Sequence, residues 1–400
     1  MAACVPDDAP EIGSAAYYAD PYPAFAARRV ASRYHTVPGV DGDVGVYGYH
    51  DAVALLSNAA VKSTRLRTFF PVPDPDLAEF QSLHHWVSAS VLHSEDAHHR
   101  RLRDVLERPL SAIPVQRYEA VIRDAVEAVA TPLRDRSSAD VVSDYAARLP
   151  TDVIAHLLGI PARHHATVRD AADALSRWTD NRHRTRRDTA NARDAVDTLT
   201  ALLLAALEAG DGPLLSALIA RAHTTATTLD EVVAQCVLFL VAGRATLRHL
   251  IGSAVLLTVT LPHVREALSA GDLPATAIID ETLRFECPVQ YLRRTVHAGF
   301  EGALGPIPAG TGVMISLGSA LRDPECTPDA DRFDPWRPQP PALAFGLAER
   351  ACVGRALSRL IAAAALEGYL AHGPAGAVAG TPRWGRTLYY RGLAELPLRR

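Results

Sequence analysis

The residue best placed to do chemistry in this sequence is a cysteine. In Phe345–Leu360, FGLAERACVGRALSRL, a glycine-bearing loop brings Cys352 to the start of a helix. Backbone N–H groups at a helix start stabilise a thiolate and donate to its sulfur. A thiolate so placed can ligate iron and push electron density onto it; a buried packing cysteine is the competing reading. Upstream, Glu281 and Arg284 stand three apart before Pro288 and can pair on one helix face. In His99-Arg-Arg-Leu-Arg103 two cationic donors stand four apart, a set suited to a pair of carboxylates; a solvated basic face is the alternative. In LFLVAGRATLRHLIG, Ala242, Thr246 and His249 share a face with Ala245 adjacent, while Arg244 and Arg248 lie on another. For those two arginines, ion pairing with neighbouring helices competes with tethering a substrate carboxylate or a water network.

These residues need a frame, and the apolar spacing supplies one. From Asp51 onward, residues recur at three- and four-residue intervals through 51–58, 95–110, 116–135, 144–159 and 194–210, as amphipathic helices require. The stretch 229–261 is the longest and most apolar, which predicts a buried central helix. A short helix is expected at Pro21–Ser32, followed by a hairpin in VPGVDGDVGVYGYH. After Leu273 come a helix stopped by Pro288, short strands in 288–300 and 306–317, a proline-rich irregular segment, and a late helix ended by Gly373-Pro374. The last stretch reads as another hairpin. No linker or repeat divides the chain, so residues 1–400 are expected to form one mainly α domain with small β-sheets set aside.

Composition narrows the class. The chain has 400 residues, 48% hydrophobic and 22% charged, enough to bury a large core. A formal net charge of −4 gives no basic field for nucleic acid. Cys4, Cys236, Cys287, Cys326 and Cys352 are scattered without a CxxC pair, against a structural zinc site and in keeping with a reducing cytoplasm. His84, His85, His93, His98 and His99 lack clean metal-ligand spacing. There is no GxGxxG, Walker A, HExxH, GxSxG or CxxCH pattern. No apolar h-region opens the chain, and the longest apolar run, 236–243, is too short to cross a membrane. A soluble cytoplasmic protein that engages neither nucleic acid nor membrane is expected.

Taken together and in order, the motifs resemble those of cytochrome P450 enzymes. Phe345, Gly346, Arg350, Cys352 and Gly354 match the family's haem-ligand loop, with Ala348 in place of its usual glycine. Glu281 and Arg284 match its ExxR pair, which an arginine from the following segment joins; Arg332 fits that place. His99, Arg103, Arg294 and Arg350 match contacts to the haem propionates, and Ala242, Gly243 and Thr246 match the oxygen-binding helix, where Ala245 replaces the usual acid. The resemblance implies a mainly α haem-thiolate fold with small sheets, haem b held by Cys352, and a ferredoxin-type redox partner. It implies a monooxygenase that oxidises a small-molecule intermediate of secondary metabolism. Substrate would enter beneath residues 165–200, where Arg177, Arg182, Arg184, Arg186, Arg187 and Arg193 would steer a phosphorylated or carrier-protein-bound substrate; an exposed solvated loop is the alternative. The missing acid leaves two departures open: a peroxide-using enzyme, or a non-hydroxylating one performing coupling, cyclisation or dehydration. A non-catalytic relative that activates a partner enzyme is the third reading.

Overall fold

The computed structural model describes residues 9–32, 34–36, 43–63, 81–180, 185–302, 305–338 and 342–400. The helices that position the site are, in chain order, α1 (Asp96–Ala112), α2 (Val115–Ala130), α3 (Leu149–Leu157), α4 (His165–Asp180), α5 (Arg186–Ala209), α6 (Leu229–Thr260), α7 (Ala275–Phe285) and α8 (Arg355–His372). Helix α6 is the predicted central helix. It starts at a capping box: the Thr228 side chain accepts from the Glu231 N–H while Glu231 reaches back to the Thr228 backbone, satisfying donors the helix leaves open. Its apolar surface is covered by α3, α4, α5, α7 and α8, which pack directly against it. Among the described residues, no single helix is long and apolar enough to cross a membrane.

Two of the changes to the helical expectation bear on the site. The pattern through 144–159 breaks in two: a π-helical turn, Val141–Ala146, precedes α3, whose first turn contains Pro150. Proline has no N–H to continue a helix from the preceding turn but is tolerated at a helix start. Helix α4 lies outside the helical pattern read from the sequence; it buries Val168, Ala172, Leu175 and Trp178 along one face and carries Arg169, Asp170, Asp173 and Arg177 among its other positions.

The largest sheet has five strands in the order 34–36, 44–46, 312–316, 291–296, 61–63. Strands 34–36 and 44–46 pair antiparallel, so a hairpin forms but begins earlier than expected: its first strand precedes Val37, only its second lies within VPGVDGDVGVYGYH, and the connecting residues 37–42 lie outside the described residues. In the strand Tyr291–Val296, Arg294 stands opposite Val313 on one side and Ser63 on the other, which fixes its direction. Near the C-terminus, Arg383–Trp384 pairs antiparallel with Leu393–Glu395, as expected of a late hairpin.

Candidate functional site

The cysteine loop is held by its own backbone. The Cys352 N–H donates to the Phe345 carbonyl at 2.8 Å, and Gly354 caps α8. Two residues take left-handed backbone: Gly346 at φ +71° and Ala348 at φ +55°. The second is the position where the sequence departs from the family glycine, and an L-residue there costs about 1–2 kcal/mol. Ala348→Gly relieves that strain and gives back about 0.4–1 kcal/mol through greater unfolded-chain entropy. The expected outcome is a stability gain of about 0.5–1 kcal/mol in urea unfolding; a clear loss would show that the alanine methyl makes a contact worth more than its strain.

Cys352 keeps accessible surface, yet burial pushes its thiol pKa up, against the opposing pull of the Gly354 N–H and the charges of Arg103 and Arg355. Both hold if the residue faces an enclosed space within the protein rather than bulk solvent. Around that space gather the expected cations. His99 is buried, with Nδ1 3.2 Å from the Val91 carbonyl and Nε2 3.1 Å from the Glu349 carbonyl. Burial lowers its pKa, and Arg350 and Arg103 repel its proton further. Arg350 donates to the Ser94 carbonyl at 3.0 Å, while its buried Nε has no partner among the described residues. Among the described residues Arg294 donates only to the carbonyl of Arg293, and burial followed by repulsion from Arg350 brings its pKa down to about 10. Arg103 pairs with Glu107 at 2.5 Å, and its charge is felt at His99, Arg350 and Cys352. Mutually repelling, half-buried cations and an orphaned guanidinium nitrogen call for anionic guests. With an accessible cysteine within reach of the Arg103 charge, these residues fit haem, whose two propionates supply the anions.

The rest of HHRRLR turns the other way. His98 and Arg101 both reach Glu231 of α6, and Arg101 holds that carboxyl down to about 2. The motif is therefore not a purely solvated face; no group of three potential metal-ligating His, Cys, Asp or Glu side chains occurs among the described residues.

On α6, Ala242 is exposed and Ala245 and Thr246 are half-buried, an opening in a helix otherwise packed on most sides. The Thr246 hydroxyl donates to the Ala242 carbonyl at 3.0 Å. Gly243 lies closely against α3: a methyl there would come within 2.6 Å of Ile154 Cδ1. His249 departs from the expected shared face. It is buried against Gly392, where a side chain would overlap the imidazole, and burial lowers its pKa to about 3. Arg244 is buried and donates to Asp173 of α4 at 2.5 Å, so the ion-pairing reading describes it.

Glu281 and Arg284 form a two-point pair on α7, at 2.7 and 2.8 Å. The third member is corrected: Arg337, not Arg332, reaches Glu281, with Nε 3.3 Å from Oε1. Arg332 is exposed and contributes its backbone carbonyl, which accepts from Arg284 at 2.9 Å. A turn at Pro335-Trp336 folds the chain back, so the later arginine points inward. Of the arginine-rich segment, Arg177, Arg186 and Arg187 are exposed, Arg193 pairs with Asp194, and Arg182 and Arg184 lie outside the described residues, as does Cys4.

One prediction follows from the cation set. Each charge-assisted contact to a propionate is worth about 1.5–3 kcal/mol. The double variant Arg103→Ala/Arg350→Ala is therefore expected to lose haem to an acceptor protein at least a hundredfold faster than the native chain, and each single variant roughly tenfold faster. An unchanged rate in the double variant would move the propionates elsewhere.

Comparison with known proteins agrees with this geometry. The family model described as Cytochrome P450 matches residues 273–372. The chain is 30% identical over 403 residues to the cytochrome P450 monooxygenase PikC of Streptomyces venezuelae, covering 96% of this chain and 92% of that protein. Its fold is similar to the crystal structure of CalO2, with a TM-score of 0.85 at 26% identity over 100% of this chain and 99% of that one. It is also similar to P450BioI in complex with an acyl carrier protein carrying hexadec-9Z-enoic acid, with a TM-score of 0.83 at 24% identity over 96% of this chain and 100% of that one. The chain belongs to the cytochrome P450 family. It is an oxidoreductase of that family, and its cofactor is haem.

Proposed function

We propose that residues 1–400 act as one haem-thiolate monooxygenase domain that oxidises a small-molecule biosynthetic intermediate in the cytoplasm, with electrons from a ferredoxin-type partner. The observation that carries this reading is the accessible Cys352 sulfur set among His99, Arg103, Arg294 and Arg350, at the foot of a helix that packs on α6. Bound haem supplies the redox chemistry that activates the oxidant. In this reading Cys352 ligates the iron through sulfur, the four cations hold the propionates, and the Phe345 carbonyl fixes the cysteine backbone. Thr246 holds a proton at Oγ1 next to the Ala242 carbonyl, at the opening of α6 around Ala242 and Ala245. A non-catalytic activator has no need of this complete set. The relative bound to an acyl carrier protein, together with the exposed Arg177, Arg186 and Arg187, supports a carrier-bound substrate.

A peroxide-using or non-hydroxylating reaction is the second reading, and Ala245 favours it. Oxygen activation needs protons delivered to the reacting centre, and at Ala245 there is no carboxylate to carry them from solvent, while His249 is enclosed and Arg244 is engaged by Asp173. On the monooxygenase reading, Ala245→Asp is expected to raise product formed per NAD(P)H consumed through a surrogate redox chain by severalfold. The same preparations are assayed with hydrogen peroxide. Faster product formation with peroxide than with the redox chain, and no gain from Ala245→Asp, would select the peroxide reading instead.

A further inference from the structure

Away from the cysteine loop, α2, α3 and α4 line a surface cleft of about 330 Å³. Small-molecule sites span roughly 300–1,000 Å³ and combine an apolar surface with a few placed polar groups. Val121, Ala125 and Val129 of α2 give this cleft an apolar floor. Its wall carries two cations in different states. Arg169 pairs with Asp152, and His165 Nδ1 stands 3.7 Å from the same carboxylate while Nε2 donates to the Ile160 carbonyl at 2.9 Å. That carboxylate is already served. Arg148, at the start of α3, is half-buried, and its guanidinium makes no hydrogen bond or ion pair with any described residue. A guanidinium fork matches a carboxylate with two parallel hydrogen bonds.

We propose that this cleft is a second small-molecule site for an amphipathic carboxylic acid, with the carboxylate on Arg148 and the apolar body on the α2 floor. The one further acid lining the cleft, Asp124, is exposed, where water and salt screen it from an anionic guest. The cleft walls are also the helices that grip α6. Ile154 of α3 touches Gly243, and Asp173 of α4, one turn beyond Arg169, pairs with Arg244. An occupant that moved either wall would therefore press on the turn that carries Thr246.

The test uses the haem-loaded full chain with its iron capped by a bulky azole, so that the cavity over the haem is filled. Decanoate and 4-phenylbutyrate are titrated by calorimetry, with decanol as the uncharged control. At least one acid is expected to show a saturable event that persists under the azole, while decanol binds at least tenfold more weakly. Arg148→Gln is expected to weaken the acid tenfold to a hundredfold, the worth of charged hydrogen bonds. Ala166→Trp, at an exposed position lining the cleft, is expected to block it. An unchanged Soret spectrum and melting temperature show that each variant folds, and Ala166→Trp serves alone if Arg148→Gln does not. Absence of saturable binding for both acids, displacement of the acid by the azole, or native affinity in both variants would overturn the proposal.

Discussion

Cys352→Ala is expected to abolish the red-shifted ferrous–CO Soret band and to lower substrate oxidation by several orders of magnitude, while part of the haem is still retained. The band reports sulfur donating charge to the iron, and alanine has nothing to donate. Retention follows because His99, Arg103, Arg294 and Arg350 act on the propionates, a separate set of contacts from the axial one. No other described cysteine can take over. Cys236 and Cys287 are fully buried, and burial pushes both thiols up to about 12. Cys326 lies against His50 at 3.4 Å, in another part of the fold from the cation set. The proton matters too. Burial raises the Cys352 thiol above its ordinary value, so at neutral pH the metal-free protein holds more thiol than an exposed cysteine would. Ligation must displace that proton, so haem uptake as a thiolate complex is expected to strengthen as pH rises toward the thiol pKa and to weaken below it. Full activity with an unaltered band in Cys352→Ala would place the iron ligand elsewhere.

What the sequence made legible was what depends on local spacing. The long apolar stretch from Leu229 marks α6, and 32 residues without a strong break carry it through the core. The Glu281–Arg284 pair and the split of His99 and Arg103 from His98 and Arg101 follow from helical geometry once the helix is given. What failed was decided by tertiary packing. Arg332 and Arg337 sit in one irregular segment, and only the path of the chain through Pro335 decides which of them turns inward. His249 lies a turn beyond Thr246 and reads as its neighbour, but Gly392, far along the chain, covers it. Helix α4 did carry a signal: Val168, Ala172, Leu175 and Trp178 recur at three- and four-residue spacing with Arg169, Asp170, Asp173 and Arg177 between them, the pattern of an amphipathic helix. Arg148 gave no signal, because a lone arginine becomes informative only when its surroundings prove to hold no partner.

Arg284→Ala is expected to cost about 3–5 kcal/mol, the range found when one member of a buried ion pair is removed. Against a total stability of about 5–15 kcal/mol for a folded domain, that brings the protein close to unfolding. The side chains of Glu281 and Arg284 are 4% and 2% exposed, so water cannot replace what is lost. Arg284 also serves three carbonyls, those of Leu321, Ala330 and Arg332, which hold the irregular segment against α7. Removing it strands a buried carboxylate and three acceptors together. Among the described residues, Glu281 keeps only the Asp334 N–H at 2.8 Å and the Arg337 Nε at 3.3 Å. Arg284→Lys should recover little, since an ammonium is a point donor and cannot span both carboxylate oxygens while reaching the carbonyls. Arg337→Ala should cost about 1–2 kcal/mol, because its contact with Glu281 is longer and its side chain is partly solvated. The double variant Glu281→Ala/Arg284→Ala should cost less than the sum of its parts, because it leaves no unpaired charge in the core. Denaturant midpoints at constant m-value, read beside haem content, make the comparison. If Arg284→Ala and Arg337→Ala cost the same, or if the double variant proves additive, the pair is not the buried, mutually dependent unit that these contacts describe.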